Sequence, residues 1–111
     1  MIKLKDPTLF RTENYINGKW VGGSGGHIEV LNPANGTLLA KTVDGNADDA
    51  CDAVEAAATA FKTWSKIPAK ERATYLRRWC ELILENADDL GMLMTAEQGK
   101  PLAEAIGEVN Y

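Results

Sequence analysis

The sequence contains no run of about 18 apolar residues, so no part of it is long enough to cross a bilayer as a helix. Cysteine is scarce: Cys51 and Cys80 are the only two in 111 residues, with no CxxC pair and no Cys/His cluster. That argues against a disulfide framework and against a structural zinc site. Histidine is scarcer still, with His27 alone, so a Cys–His pair has no local support. Positive charge is not in excess: 12 Lys and Arg stand against 16 Asp and Glu, a formal net charge of −4. Nucleic acid is therefore not expected as a partner, because such surfaces are basic. The opening residues scatter Lys3, Lys5, Asp6, Arg11, Glu13 and Lys19 without an apolar run, so no secretory signal is expected. The expected compartment is the cytoplasm, with both thiols reduced and packed as small apolar residues. Phosphate-binding spacings of the GxGxxG or GxxxxGK[ST] type are also missing. The Gly-Gly-Ser-Gly-Gly stretch at 22–26 leads into strand-like His27-Ile28-Glu29-Val30 rather than a helix, so it reads as a flexible loop.

What is present suits a folded chain: 45% hydrophobic and 25% charged residues. A chain of this size buries roughly two-thirds of the surface its unfolded form exposes. Residues 1–13 read as an irregular arm with one apolar pair, Leu9-Phe10. Residues 14–45 read as β-hairpin material. Asn17-Gly18 suits a type I′ turn between two short strands, and Asn32-Pro33-Ala34-Asn35-Gly36 suits a turn between two more. From Asn46 the period turns helical through 111. Ala47, Ala50, Val54, Ala57, Phe61 and Trp64 make one apolar stripe behind an Asn46 cap and acidic Asp48 and Asp49. After Pro68, a second stripe runs through Ala73, Leu76, Trp79, Cys80, Ile83 and Leu84, with Arg72, Arg77, Arg78 and Glu81 on the solvent face. Asn86 is expected to cap a third helix that Gly99 ends, and Pro101 to open a fourth. That fourth helix reaches Tyr111 without an evident stop signal, so the helical region is expected to be cut in its last helix.

The residue types alone give an α+β segment, N-terminal β-hairpins followed by three to four α-helices, with no nucleophile–base pair and no metal quartet. Asp48, Asp49 and Asp52 lack the spacing of a calcium loop, and acidic first helical turns account for them and for Asp88 and Asp89.

The order of short motifs says more. Tyr15-Ile16-Asn17-Gly18-Lys19-Trp20 is followed by Asn32-Pro33-Ala34-Asn35-Gly36, then by the Ala53–Trp64 stretch and Lys70-Glu71-Arg72-Ala73. Glu97-Gln98-Gly99-Lys100-Pro101-Leu102-Ala103-Glu104-Ala105 completes the series. Each is weak alone. In this order, from about residue 9 to Tyr111, they resemble the start of the aldehyde dehydrogenase superfamily. The opening Leu4-Lys5-Asp6-Pro7-Thr8-Leu9-Phe10-Arg11 resembles the leader of bacterial succinate-semialdehyde dehydrogenases.

The resemblance implies a parent enzyme several times longer, in which this segment belongs to the α/β nucleotide-binding domain. It implies oxidation of an aldehyde, with succinate semialdehyde as substrate, by NAD or NADP through a cysteine thiohemiacetal and thioester. The family's reactive Cys, its Glu base and its nucleotide loops would all lie beyond Tyr111. Neither Cys51 nor Cys80 sits in the nucleophile's context, so the 111-residue chain should lack a catalytic and a cofactor site and be inactive alone. One site is implied here: a structural monovalent cation held by the Val30 and Leu31 carbonyls and the Glu97 carboxylate, incomplete without the rest of the enzyme. Homo-oligomerisation is expected of the parent. Self-association through apolar helix faces is expected of the segment, since isolated hairpins and helices are marginal. The competing expectation is a non-catalytic structural or oligomerisation module.

Overall fold

The computed structural model describes residues 2–111. In chain order the elements are a 3-10 turn at Pro7–Leu9, strands β1 (Asn14–Ile16), β2 (Lys19–Val21), β3 (His27–Leu31) and β4 (Leu38–Val43), and helices α1 (Ala47–Trp64), α2 (Ala69–Glu85), α3 (Ala87–Gln98) and α4 (Leu102–Val109). The α+β organisation expected from the sequence is the one observed, with two short antiparallel sheets and four helices.

Both hairpins follow from turn chemistry. Asn17 and Gly18 both adopt positive φ, 51° and 76°, which matches the twist of a two-residue turn between Ile16 and Lys19. Tyr15 and Trp20, opposite each other across β1–β2, tilt together at 5.1 Å between ring centroids, and the Arg11 guanidinium lies 4.7 Å over the Trp20 ring. The second hairpin turns at Asn32, whose side chain accepts from the Ala34 amide at 2.9 Å while its carbonyl accepts from Gly36 at 2.7 Å. A bulge between Val30 and Leu31 interrupts the β3–β4 ladder just before this turn.

The glycine-rich stretch is a tied loop, which corrects the flexible loop expected from composition. Gly25 donates its amide to the Asp44 carbonyl at 3.1 Å, and Asp44 donates back to Gly26 at 3.0 Å. A Cβ on Gly25 would lie 2.4 Å from that Asp44 oxygen, so the close approach requires glycine. Asn46 then starts α1 with a capping box. Its side chain accepts from Asp48 and Asp49, and the Asp49 carboxylate accepts from the Asn46 amide at 2.8 Å.

Asn86 behaves differently from expectation. Its side chain donates to the Leu82 carbonyl at 2.8 Å, closing α2, and makes no side-chain cap for α3. A two-helix junction lets one residue serve either end, and here the orphan carbonyls of α2 win it. Gly99, at φ 78°, ends α3. At the end of α4 the Asn110 side chain donates to the Ile106 carbonyl at 2.8 Å, a local cap that the apolar pattern had masked.

The core is small and lies between α3 and α4. Ala105 is fully buried, and Gly91 lets α4 approach so closely that a Cβ there would stand 2.6 Å from Ile106 Cγ1. By contrast, the stripes on α1 and α2 are open. Phe61 is 61% exposed and Trp79 64% exposed, and Cys51 and Cys80 are exposed too, not packed as expected. Little of either stripe is covered by the other described residues: Trp64 is half-buried against Tyr75 at 5.8 Å between centroids, and Ile83 is half-buried as well. Arg72, placed on the solvent face by its pattern, is also half-buried. No described helix is long and apolar enough to cross a membrane.

Candidate functional site

Val30 and Leu31 end β3 at the bulge, where they pair with Ala40 and Leu38 and the extra residue, Leu39, lies on β4. Glu97 is exposed near the end of α3, one residue before Gln98 closes the helix, and its side chain has no hydrogen bond or ion pair among the described residues. The two pieces meet through their neighbours: a Cβ on Gly99 would touch Pro33 Cγ at 3.0 Å, so the end of α3 abuts the turn that follows Leu31. Between them lies an open cleft of about 480 Å³ lined by Asn32, Thr37, Leu39, Met92, Thr95 and Leu102 among others, with Ile2 and Lys3 of the arm along it. Backbone carbonyls and carboxylates are both donors of the kind that hard cations take. Lys100, in the same motif, pairs with Glu108 of α4.

The two cysteines and the histidine are not assembled into a reactive group. Cys51 is on α1, Cys80 on α2, and His27 opens β3 opposite Val43. Among the described residues no group of three or more His, Cys, Asp or Glu side chains could hold a metal ion.

The acidic residues instead bind backbone amides. Asp49 takes its Asn46 cap bond and also the Ser24 amide, at 3.1 Å, and the Ser24 hydroxyl at 3.2 Å. These donors, the Asn46 amide first, hold its carboxyl below the usual carboxylate range. Asp6 is likewise lowered, first by the Thr8 hydroxyl and then by the Thr8 amide. Asp89 is the one buried charged side chain among the described residues, 2% exposed. Its two oxygens accept from the Lys5 and Asp6 amides at 3.0 and 2.8 Å. The Lys5 ammonium pairs with Asp88 at 2.6 Å, which raises the lysine pKa. Reading these aspartates only as dipole-complementing first-turn residues missed Asp49 and Asp89 as anchors. Their partners lie 25 and more than 80 residues away, beyond the reach of local pattern.

A dinucleotide does not fit the glycine loop. A phosphate cradle offers free amides and a helix N-terminus. Here the Gly25 amide is committed to Asp44 and the Ser24 amide to Asp49, whose negative charge faces the position a phosphate would need.

Comparison with known proteins decides the family. Residues 20–111 match the model of the aldehyde dehydrogenase family. The chain belongs to the aldehyde dehydrogenase family. It is 50% identical to the succinate-semialdehyde dehydrogenase [NADP(+)] of Escherichia coli over 99% of its own length and 23% of that enzyme's. It is 49% identical to a glutarate-semialdehyde dehydrogenase of Pseudomonas putida, again over 99% of this chain and 23% of the relative. Its fold superposes on the crystal structure of an aldehyde dehydrogenase from Brucella melitensis biovar abortus 2308 with a TM-score of 0.97 at 45% identity, covering all of this chain and 23% of that one. The chain thus spans about a quarter of the length of these aldehyde dehydrogenases.

Proposed function

We propose that this chain forms the N-terminal part of an NAD(P)-dependent aldehyde dehydrogenase that oxidises succinate semialdehyde to succinate, and that residues 1–111 are inactive alone. The observation behind this reading is the 50% identity to a succinate-semialdehyde dehydrogenase, which runs through 99% of the chain rather than through one motif. A relative acting on glutarate semialdehyde at 49% identity keeps the substrate within the same class, a short aldehyde carrying a carboxylate at its far end.

Aldehyde oxidation of this class proceeds through a cysteine thiohemiacetal and thioester. NAD or NADP supplies the oxidant when bound, and none of that chemistry is assigned to residues 1–111. What these residues contribute is support: tied loops and hairpins, the α3–α4 core, and open apolar faces on α1 and α2 that suit the rest of an enzyme. In the separated segment the same faces, with Phe61 and Trp79 prominent, favour self-association. Two exposed free thiols suit a reducing cytoplasm. We assign Val30, Leu31 and Glu97 to a monovalent cation site of the whole enzyme, completed by residues outside this chain.

The test is steady-state reduction of NAD+ and NADP+ by a protein that contains this segment and continues in its reading frame. Succinate semialdehyde should be turned over with a higher kcat/KM than an uncharged aldehyde of equal length. An enzyme that ignores the distal carboxylate, or gives no aldehyde-dependent reduction, would refute the assignment.

A further inference from the structure

The arm has two faces. Ile2, Leu4 and Asp6 are half-buried while Lys3 and Lys5 are exposed, the alternation of an extended segment lying on a surface. Its two consecutive amides, Lys5 and Asp6, each meet one oxygen of the buried Asp89 carboxylate. At its other end the Thr12 carbonyl accepts from the Val43 amide of β4 at 2.9 Å. Among the described residues, every hydrogen bond that reaches α3 or α4 from residues 2–46 begins in this arm, at Lys5 or Asp6. The β3–β4 hairpin itself sends none.

We propose that residues 2–12 are a strap fastened by Asp89, and that this strap ties the β3–β4 hairpin to the α3–α4 pair. The fastening is one-sided. Asp89 sits in the first turn of α3, fixed by its helix, while the arm meets it with main-chain amides alone, so that releasing this bond breaks no hydrogen bond within α3 or α4. A buried carboxylate left without those donors is costly, which makes the closed state the stable one. The outer Lys5–Asp88 pair, with both side chains more than 60% exposed, adds little. Ile2 and Lys3 line the cleft between the Asn32 turn and α3, so releasing the strap removes one wall of that cleft.

The experiment is amide hydrogen exchange on the 111-residue chain, read by peptide. Asp89→Ala should raise exchange across residues 2–12 by about ten- to a hundredfold, the range expected for hydrogen bonds to a charged acceptor. Peptides within 92–106 should stay within about threefold of the parent chain. Asp88→Asn, which breaks only the outer ion pair, should leave residues 2–12 within about threefold. Lys5→Pro removes one donor from the arm's side without touching α3, and should also release residues 2–12, which keeps the test valid should Asp89→Ala fail to fold. The proposal is overturned by residues 2–12 staying protected in Asp89→Ala or in Lys5→Pro. Equal acceleration of residues 92–106 and 2–12 in Lys5→Pro would overturn it too, since that would make the arm part of the helical core.

Discussion

Gly91→Ala isolates the α3–α4 contact on which the small core depends. A Cβ at position 91 would lie 2.6 Å from Ile106 Cγ1, 3.3 Å from the Ile106 amide nitrogen and 3.4 Å from its Cα. Cγ1 is near the root of the isoleucine side chain, and the other two atoms are backbone, so the helix itself must give way. Overpacking of this kind costs about 1–3 kcal/mol. Replacing a helical glycine with alanine returns about 1 kcal/mol through backbone entropy. With backbone atoms among the contacts the clash should win, leaving the variant up to about 2 kcal/mol less stable, with a melting temperature lower by roughly 4–8 °C for each kcal/mol. Urea unfolding followed by far-ultraviolet circular dichroism measures this as a lower midpoint at unchanged slope. The same substitution made in an Ile106→Ala background has no Cγ1 to meet. There the cost should shrink by more than about 1 kcal/mol, and the difference between the two backgrounds is the contact itself. A higher midpoint for Gly91→Ala, or an equal cost in both backgrounds, would refute the reasoning.

Other substitutions probe the tied loops. Asn46→Ala removes the acceptor for the Asp48 and Asp49 amides and should cost about 1 kcal/mol by urea titration; an unchanged midpoint would speak against the cap. Gly25→Ala should destabilise through its 2.4 Å approach to the Asp44 oxygen, while Gly22→Ala, with nothing within 4 Å, should be close to neutral in the same assay. Asp6 and Asp49 have folded-state pKa values below the ordinary carboxylate range. Their stabilisation is therefore full above the unfolded carboxylate pKa and drains away as pH falls below it through the lower folded values. Asp49→Asn should flatten that decline in urea midpoints, and an unaltered profile would contradict it.

Local chemistry was legible wherever the causes were local. Asn17-Gly18, the Asn32–Gly36 turn, the Asn46 cap and Gly99 each acted through neighbours within a few residues, and the structure uses them as their types predict. The stripes on α1 and α2 were legible as faces that want a partner, and Val54, Phe61, Leu76 and Trp79 stand open, but periodicity does not say what covers them. Asn86 and Asn110 show a related limit: an asparagine beside a helix end can serve the carbonyls behind it as readily as the amides ahead. Asp89 was illegible for a different reason. Its donors are main-chain amides at Lys5 and Asp6, and a backbone N–H carries no mark in a sequence. For the candidate cation site, the Val30–Leu31 bulge and the Gly99–Pro33 contact were likewise hidden, since register and helix-to-turn contact are set by tertiary structure.

The most direct test of the central claim, that these residues support an aldehyde dehydrogenase without performing its chemistry, is an activity measurement on two proteins. Purified residues 1–111 and a protein that continues beyond Tyr111 in the same reading frame are each assayed for reduction of NAD+ and NADP+ with succinate semialdehyde. The account predicts turnover by the longer protein and none above the enzyme-free rate by residues 1–111 at any concentration. Aldehyde-dependent turnover by residues 1–111 alone, abolished by Cys51→Ala or Cys80→Ala, would contradict it.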